Sequence, residues 1–267
     1  MITSFRMYGA GPQATAAWRA LFTRAFADAG TDVEWVEHRW PQPIAELWGR
    51  PDLGCDFMCG WPFARSGAMQ PIAAPVPSPP RYEHQSRYCS EFLVRESSGW
   101  KTLEEIFGHR FGWMSADSQS GFNAPRAHLA RFVSPARPAL FAEVRGPLGS
   151  PMKALDVLRS GEVDAIALDS YYLDLCRRHA RERLEGLRCV ATTEWTPMPL
   201  LVAAPAAPKA TVTRLAELLA TVHERSGYAP LLADVLLERF VPPRVAEYTQ
   251  LEAMARFAAE RGYEKIR

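Results

Sequence analysis

The chemistry-bearing residues of this chain collect after its apolar runs. The stretch Ser118-Gln119-Ser120-Gly121 follows the apolar segment HRFGWM and precedes a helix-like run. Two hydroxyls and a glycine at such a turn have two uses. They cap a helix and ease a bend, or they join the free N–H groups of the helix start in holding an oxyanion. Other runs end in similar groups: Tyr8, Gly9 and Gly11 after the first, Gly60 and Trp61 after LGCDFMC. Asp169, Ser170, Tyr171 and Tyr172 follow VDAIAL, and Glu194 and Trp195 follow LRCVATT. Aromatic, hydroxyl, glycine and acid groups suit a small polar molecule. Lys and Arg are missing from these turns, so an anion would be held by dipoles and hydroxyls. Singly, Tyr8 and Trp61 read as packing residues and Asp169 as a helix cap.

The elements that must position them alternate between strand-like and helical periodicity. ITSFRMY, VEWVEHR, LGCDFMCGW, SRYCSEFLVRES, HRFGWM, VDAIALDS, LRCVATTE and TPMPLLVAAP read as strands. Helices are expected over 13–29, 44–48, 122–132, MKALDVLRSG and YYLDLCRRHARERL, and over 212–225, 229–239 and 245–261. APVPSPP reads as a proline-rich loop. Alternation of this kind predicts an α/β protein with mostly parallel sheets, in which ligands bind beyond the carboxyl ends of strands.

Composition excludes several classes. With 48% hydrophobic and 23% charged residues and net charge +1, the 267-residue chain is ordered and globular, with no nucleic-acid or membrane partner expected. Met1 runs directly into a strand-like segment with no basic n-region or apolar h-region. That is expected of a cytoplasmic protein or of a chain whose leader has been removed. Five scattered cysteines give no disulfide framework. Gly9-Ala10-Gly11 lacks the third glycine of a dinucleotide fingerprint. No H-E-x-x-H, G-x-S-x-G or Walker loop occurs, and the six histidines are dispersed. No metal, no cofactor and no catalytic residue is therefore assigned.

The segment SEFLVRESSGWKTLEEIFGHRFGWMSADSQSGFNAPRAHL resembles the middle of phosphonate/phosphite-type solute-binding proteins of ABC importers, with their S-T-S-G before a proline-bearing helix. ALDVLRSGEVDAIALDSYYLDL resembles the family's later G-x-V-D-A segment through Gly161, Val163, Asp164, Ala165, Asp169 and Ser170. LGCDFMCGWPFA is similar to its D-l-a-f-x-G strand, through Asp56 and Gly60. The resemblance implies a two-lobed type II periplasmic-binding-protein fold with the ligand cleft between lobes. Lobe one would be 1–87 plus 196–267, and lobe two 88–195. It implies that Ser118, Ser120 and the backbone around Gly121 hold an oxyanion, and that Tyr88 is a binding aromatic. Gln119 replaces the family's middle Thr, and Gly149-Ser150-Pro151 replaces its G-S-H, removing a histidine contact.

Two functional readings follow. One is a solute-binding protein closing on phosphonate, phosphite or phosphate, with an ABC permease as partner, periplasmic and monomeric or weakly dimeric. Its ligand-binding set is Tyr8, Trp61, Tyr88, Ser118, Gln119, Ser120, Gly121, Asp169 and Glu194. Asp169 and Glu194 would accept from a protonated oxygen or an amine, as in an amino-substituted phosphonate. The other reading is a cytoplasmic enzyme or ligand sensor on the same fold, of the cofactor or quinone biosynthesis branch.

Overall fold

Apolar runs and helical stripes resolve into thirteen strands and nine α-helices in the computed structural model, which describes all residues, Met1–Arg267. The chain begins with β1 (Ile2–Thr3), α1 (Pro12–Asp28), β2 (Glu34–Trp35), α2 (Ile44–Trp48), β3 (Asp56–Met58), α3 (Gly60–Ser66) and β4 (Gln70–Pro77). It continues through β5 (Arg87–Tyr88), β6 (Ser90–Arg95), β7 (Arg110–Gly112), α4 (Ala124–Leu129), β8 (Glu143–Arg145), α5 (Pro151–Arg159), β9 (Ala165–Asp169), α6 (Ser170–His179) and β10 (Leu187–Thr192). It ends with β11 (Thr196–Pro197), β12 (Leu200–Ala203), α7 (Lys209–Thr221), α8 (Ala229–Asp234), β13 (Leu237–Val241) and α9 (Thr249–Glu260). These elements form two units: Met1–Arg87 with Pro197–Glu247, and Tyr88–Thr196 with Tyr248–Arg267. No helix is long and apolar enough to cross a membrane.

The first unit carries the sheet β13-β4-β12-β3, with β1 and β2 as a parallel pair. Its core is aromatic. Pro12 opens α1 at its first turn, where a missing N–H costs nothing. Helical spacing then buries Trp18, Leu21, Phe22, Ala25 and Phe26 on one face. Phe22 meets Phe5 at 4.0 Å between ring centroids, and Trp18 meets Phe57 edge-on at 5.1 Å. Gly30, at φ 59°, ends the run.

The second unit carries the sheet β10-β6-β9-β7-β8. Phe92, Val94, Phe111, Ala165 and Ala167 from its strands pack with Leu129 and Ala130 in one apolar core.

Four expectations need correction. The sheets are not mostly parallel: β12 runs against both β3 and β4, and β6 against both β9 and β10. In the second unit β6 alone is reversed among co-directional neighbours, which makes two antiparallel ladders. In the first, β12 and β13 are both opposed in direction to β3 and β4, so all three ladders of that sheet are antiparallel. Second, part of the proline-rich stretch is a strand. β4 pairs with β12 through Gln70, Pro71 and Ala73 and with β13 through 74–77, so Pro71, Pro75 and Pro77 each have a ladder partner on one side only. That arrangement lets a strand tolerate missing donors. Third, the helix expected over 229–239 stops at Asp234, and Leu237–Val241 becomes β13 on the free side of β4. Fourth, α9 belongs with the second unit, not lobe one. Ala258, Tyr263 and Ile266 join its core, Asn123 Nδ2 donates to Leu251 O at 2.9 Å, and Arg126 to Glu264 O at 2.8 Å.

Candidate functional site

The turn after β7 is built from local hydrogen bonds. Ser118, in extended conformation, caps the following helix, its Oγ accepting from Gly121 N at 2.9 Å. The helix opens with a wide turn over Gln119–Asn123, closed by Asn123 N donating to Ser118 O at 3.0 Å, and runs directly into α4. A wide turn of this type at a helix start is common at functional sites. The N–H groups of Gln119 and Ser120 stand in the first turn, without intrahelical acceptors. Their dipoles and the helix axis favour an anion.

Gly121 is there because of space, not backbone freedom. A Cβ at this position would lie 2.6 Å from Met114 Cβ and 3.0 Å from Ser118 Oγ. Met114 is fixed in turn, donating its N–H to Gly121 O at 3.1 Å. Gly121→Ala is therefore expected to push the turn off the strand and cost about 2 kcal/mol of stability. Chemical denaturation checks this, and a variant as stable as the parent would mean that the turn has room to move.

Ser118, Ser120 and Gly121 thus meet at one helix start, and β9 contacts that turn. Ser120 is 7% exposed, and its hydroxyl has no hydrogen-bond partner in the protein. Gln119 lies beside them but its amide is used inward: Oε1 accepts from Asn123 Nδ2 at 2.9 Å and Nε2 donates to Met254 Sδ at 3.6 Å. It fastens α9 to the turn. Asp169, at the end of β9, caps α6 by accepting from Tyr171 N at 2.7 Å and Tyr172 N at 3.0 Å.

The remaining residues expected at the site stand on other elements. Glu194 pairs with Arg131 and lies 3.5 Å from His128, on a surface groove of about 280 Å³ lined by Trp195, Met254 and Phe257. Burial raises its carboxyl, but its own backbone N–H, His128 and Arg131 outweigh this and hold it below the ordinary value. Tyr88 is buried beside Thr196, whose Oγ1 donates to Tyr88 O at 3.5 Å. In the first unit, Tyr8 is buried with its ring 5.0 Å from Phe57 and 6.1 Å from Trp18, a packing role for the ring. Trp61 stands in the first turn of α3 and carries the Arg65 guanidinium over its ring at 5.2 Å.

Sequence reasoning missed one cation. Arg126, 9% exposed, donates to Asn123 Oδ1 at 2.9 Å and to Glu264 O, so none of its hydrogen bonds reaches a carboxylate. Burial lowers its pKa. It sits inside the helix, five positions past Gly121, and a search confined to strand ends passes over it.

Solved structures share this fold at low identity. A binding-protein component of an ABC phosphonate transporter from Pseudomonas aeruginosa superposes with TM-score 0.81 at 13% identity, over 98% of this chain and 87% of that one. PhnD1 from Prochlorococcus marinus, solved with methylphosphonate, gives 0.74 at 17%, over 96% of each chain. A Xanthomonas citri protein bound to ATP gives 0.65 at 16%, over 99% of each. No curated protein sequence matches this chain. The fold is that of the type II periplasmic binding proteins. The profile described as "ABC transporter, phosphonate, periplasmic substrate-binding protein" matches residues 58–248, well over half of the sequence, and the chain belongs to that family.

Proposed function

We propose that this protein is the substrate-binding component of an ABC importer and captures a phosphonate-type oxyanion at the start of the helix at Gln119. The observation that carries the reading is the buried Ser120 hydroxyl, without a protein partner, beside two first-turn N–H groups. Family membership supports the transport role and an ABC permease as partner. Hydrogen bonds to a charged oxygen, made in a water-poor turn, give affinity without a contacting lysine or arginine. The nearby carboxylate of Asp169 favours a ligand carrying a protonated oxygen or an ammonium group.

A thermal-shift panel of phosphate, phosphite, methylphosphonate, 2-aminoethylphosphonate, sulfate and sulfonates tests this. A ligand at 100 times its dissociation constant adds about 2.7 kcal/mol, a rise of several degrees. The expected shift is confined to phosphonate-like compounds. Ser120→Ala should weaken binding by about 1–2 kcal/mol. Unchanged affinity in the double variant Ser118→Ala/Ser120→Ala would place the oxyanion elsewhere.

A further inference from the structure

We infer that Ser90 is a further ligand-binding hydroxyl of the second unit, donating to the phosphonate group alongside Ser120; the inference rests on the reading just given. Ser90 opens β6 and is 1% exposed, yet its Oγ has no hydrogen-bond partner. Buried hydroxyls without partners are rare in folded proteins and call for a reason. Its backbone is fully engaged: Ser90 N donates to Thr193 Oγ1 at 2.9 Å and Ser90 O accepts from Thr193 N at 2.9 Å. The hydroxyl alone is left over.

Register places it at the helix start. Ser90 stands opposite Asp169 on β9. The next position along, Cys89 opposite Ser170, is joined by a Ser170 N to Cys89 O bond of 2.9 Å. Ser90 and Asp169 are therefore a non-hydrogen-bonded pair, the kind whose side chains lie closest. Side chains alternate along a strand, so Ser90 shares a face with Phe92 and Val94, which pack on Leu129 and Ala130. The Phe92 ring lies 5.7 Å from that of His128 on α4. The helix follows β7, which is parallel to β9 and thus opposed to β6. Packing back across the sheet, it runs with β6, so two residues before Phe92 corresponds to its first turns. Ser90 Oγ, Asp169 and Ser120 thus belong to one end of one face. The oxygen of an anion held at Ser120 supplies the acceptor that the fold withholds from Ser90.

The test pairs affinity with ligand-free stability in Ser90→Ala. A hydroxyl with no internal partner contributes nothing to the unliganded fold, so the ligand-free melting temperature should stay level or rise. Affinity for methylphosphonate and 2-aminoethylphosphonate should fall about tenfold. Ser120→Ala is measured beside it. An affinity equal to wild type, or a loss accompanied by a lower ligand-free melting temperature, overturns the role of Ser90. If Ser120→Ala still weakens binding in that case, the site itself stands. A wild-type protein that binds neither phosphonate overturns both readings.

Discussion

Asp56→Ala is expected to lower stability by about 4 kcal/mol, the sum of buried donors left without acceptors. Asp56 is fully buried, and its Oδ2 accepts from Ser4 N at 2.8 Å and Phe5 N at 3.0 Å while Oδ1 accepts from Phe57 N at 2.8 Å. Phe5 adopts the left-handed conformation at φ 54°, which a bulky residue holds only when its surroundings impose it. The carboxylate is what imposes it, and the Phe5 ring then reaches Phe22 and Phe57. Burial pushes the Asp56 carboxyl up to about 6, against the pull of three N–H groups and Arg6. The sign follows. Below the unfolded value near 3.9 the group is protonated in both states. As pH rises from about 4 to about 6 the unfolded chain loses its proton first, so this group's stabilisation is lost across that window, by about 2–3 kcal/mol. Asp56→Asn should remove that slope. Urea denaturation at pH 4, 5, 6 and 7 reads both effects, and an alanine variant within about 1 kcal/mol of wild type would show that water satisfies the freed N–H groups.

Asp164 provides the second large effect, with the opposite pH sign. Its Oδ1 accepts from Arg95 Nη2 and Arg110 Nη2, both at 2.8 Å, and its Oδ2 from Arg110 Nε at 2.8 Å and Arg110 N at 3.1 Å. Arg95 also donates to Leu158 O and Val163 O at 2.6 Å, tying α5 to the sheet. Burial raises the carboxyl, but the two guanidiniums and the Arg110 N–H outweigh it and leave it well below the carboxylate range. Asp164→Asn strands two cations on one amide. Removing one member of a buried ion cluster costs about 3–5 kcal/mol, and the 37% exposure of Arg110 brings the expectation down to about 3. Because the folded pKa is depressed, this stabilisation is present above the unfolded value near 3.9 and is lost as pH falls below about 4. The variant should lack that acid-side loss. Melting curves from pH 3 to 7 decide it: parallel profiles for variant and parent would mean that Asp164 carries no net electrostatic stabilisation.

The same two residues show where reading a sequence stops. Asp56 and Asp164 stand out as parts of motifs, but neither motif says what the carboxylate accepts. Sequence alone determined what depends on neighbours a few residues apart. The alternation of strands and helices was legible because burial faces repeat at 2 and 3.6 residues. The turn at Ser118–Gly121 was legible because a cap and its helix are local. Tertiary structure decided everything that depends on register and on which distant surfaces meet. Three prolines hid β4, and only its staggered pairing with β12 and β13 shows why they are tolerated. The amphipathic pattern of α9 announced a buried face but not the core that covers it, which is that of the second unit. The spacing of Gln119 placed it at the turn, but only the tertiary structure shows its amide joined to Asn123 and to Met254 of α9. Ser90 was one serine among many in the sequence; its pairing with Asp169 on β9 is what sets it apart. A strand's partner is chosen by packing over tens of residues, and no local pattern encodes that choice.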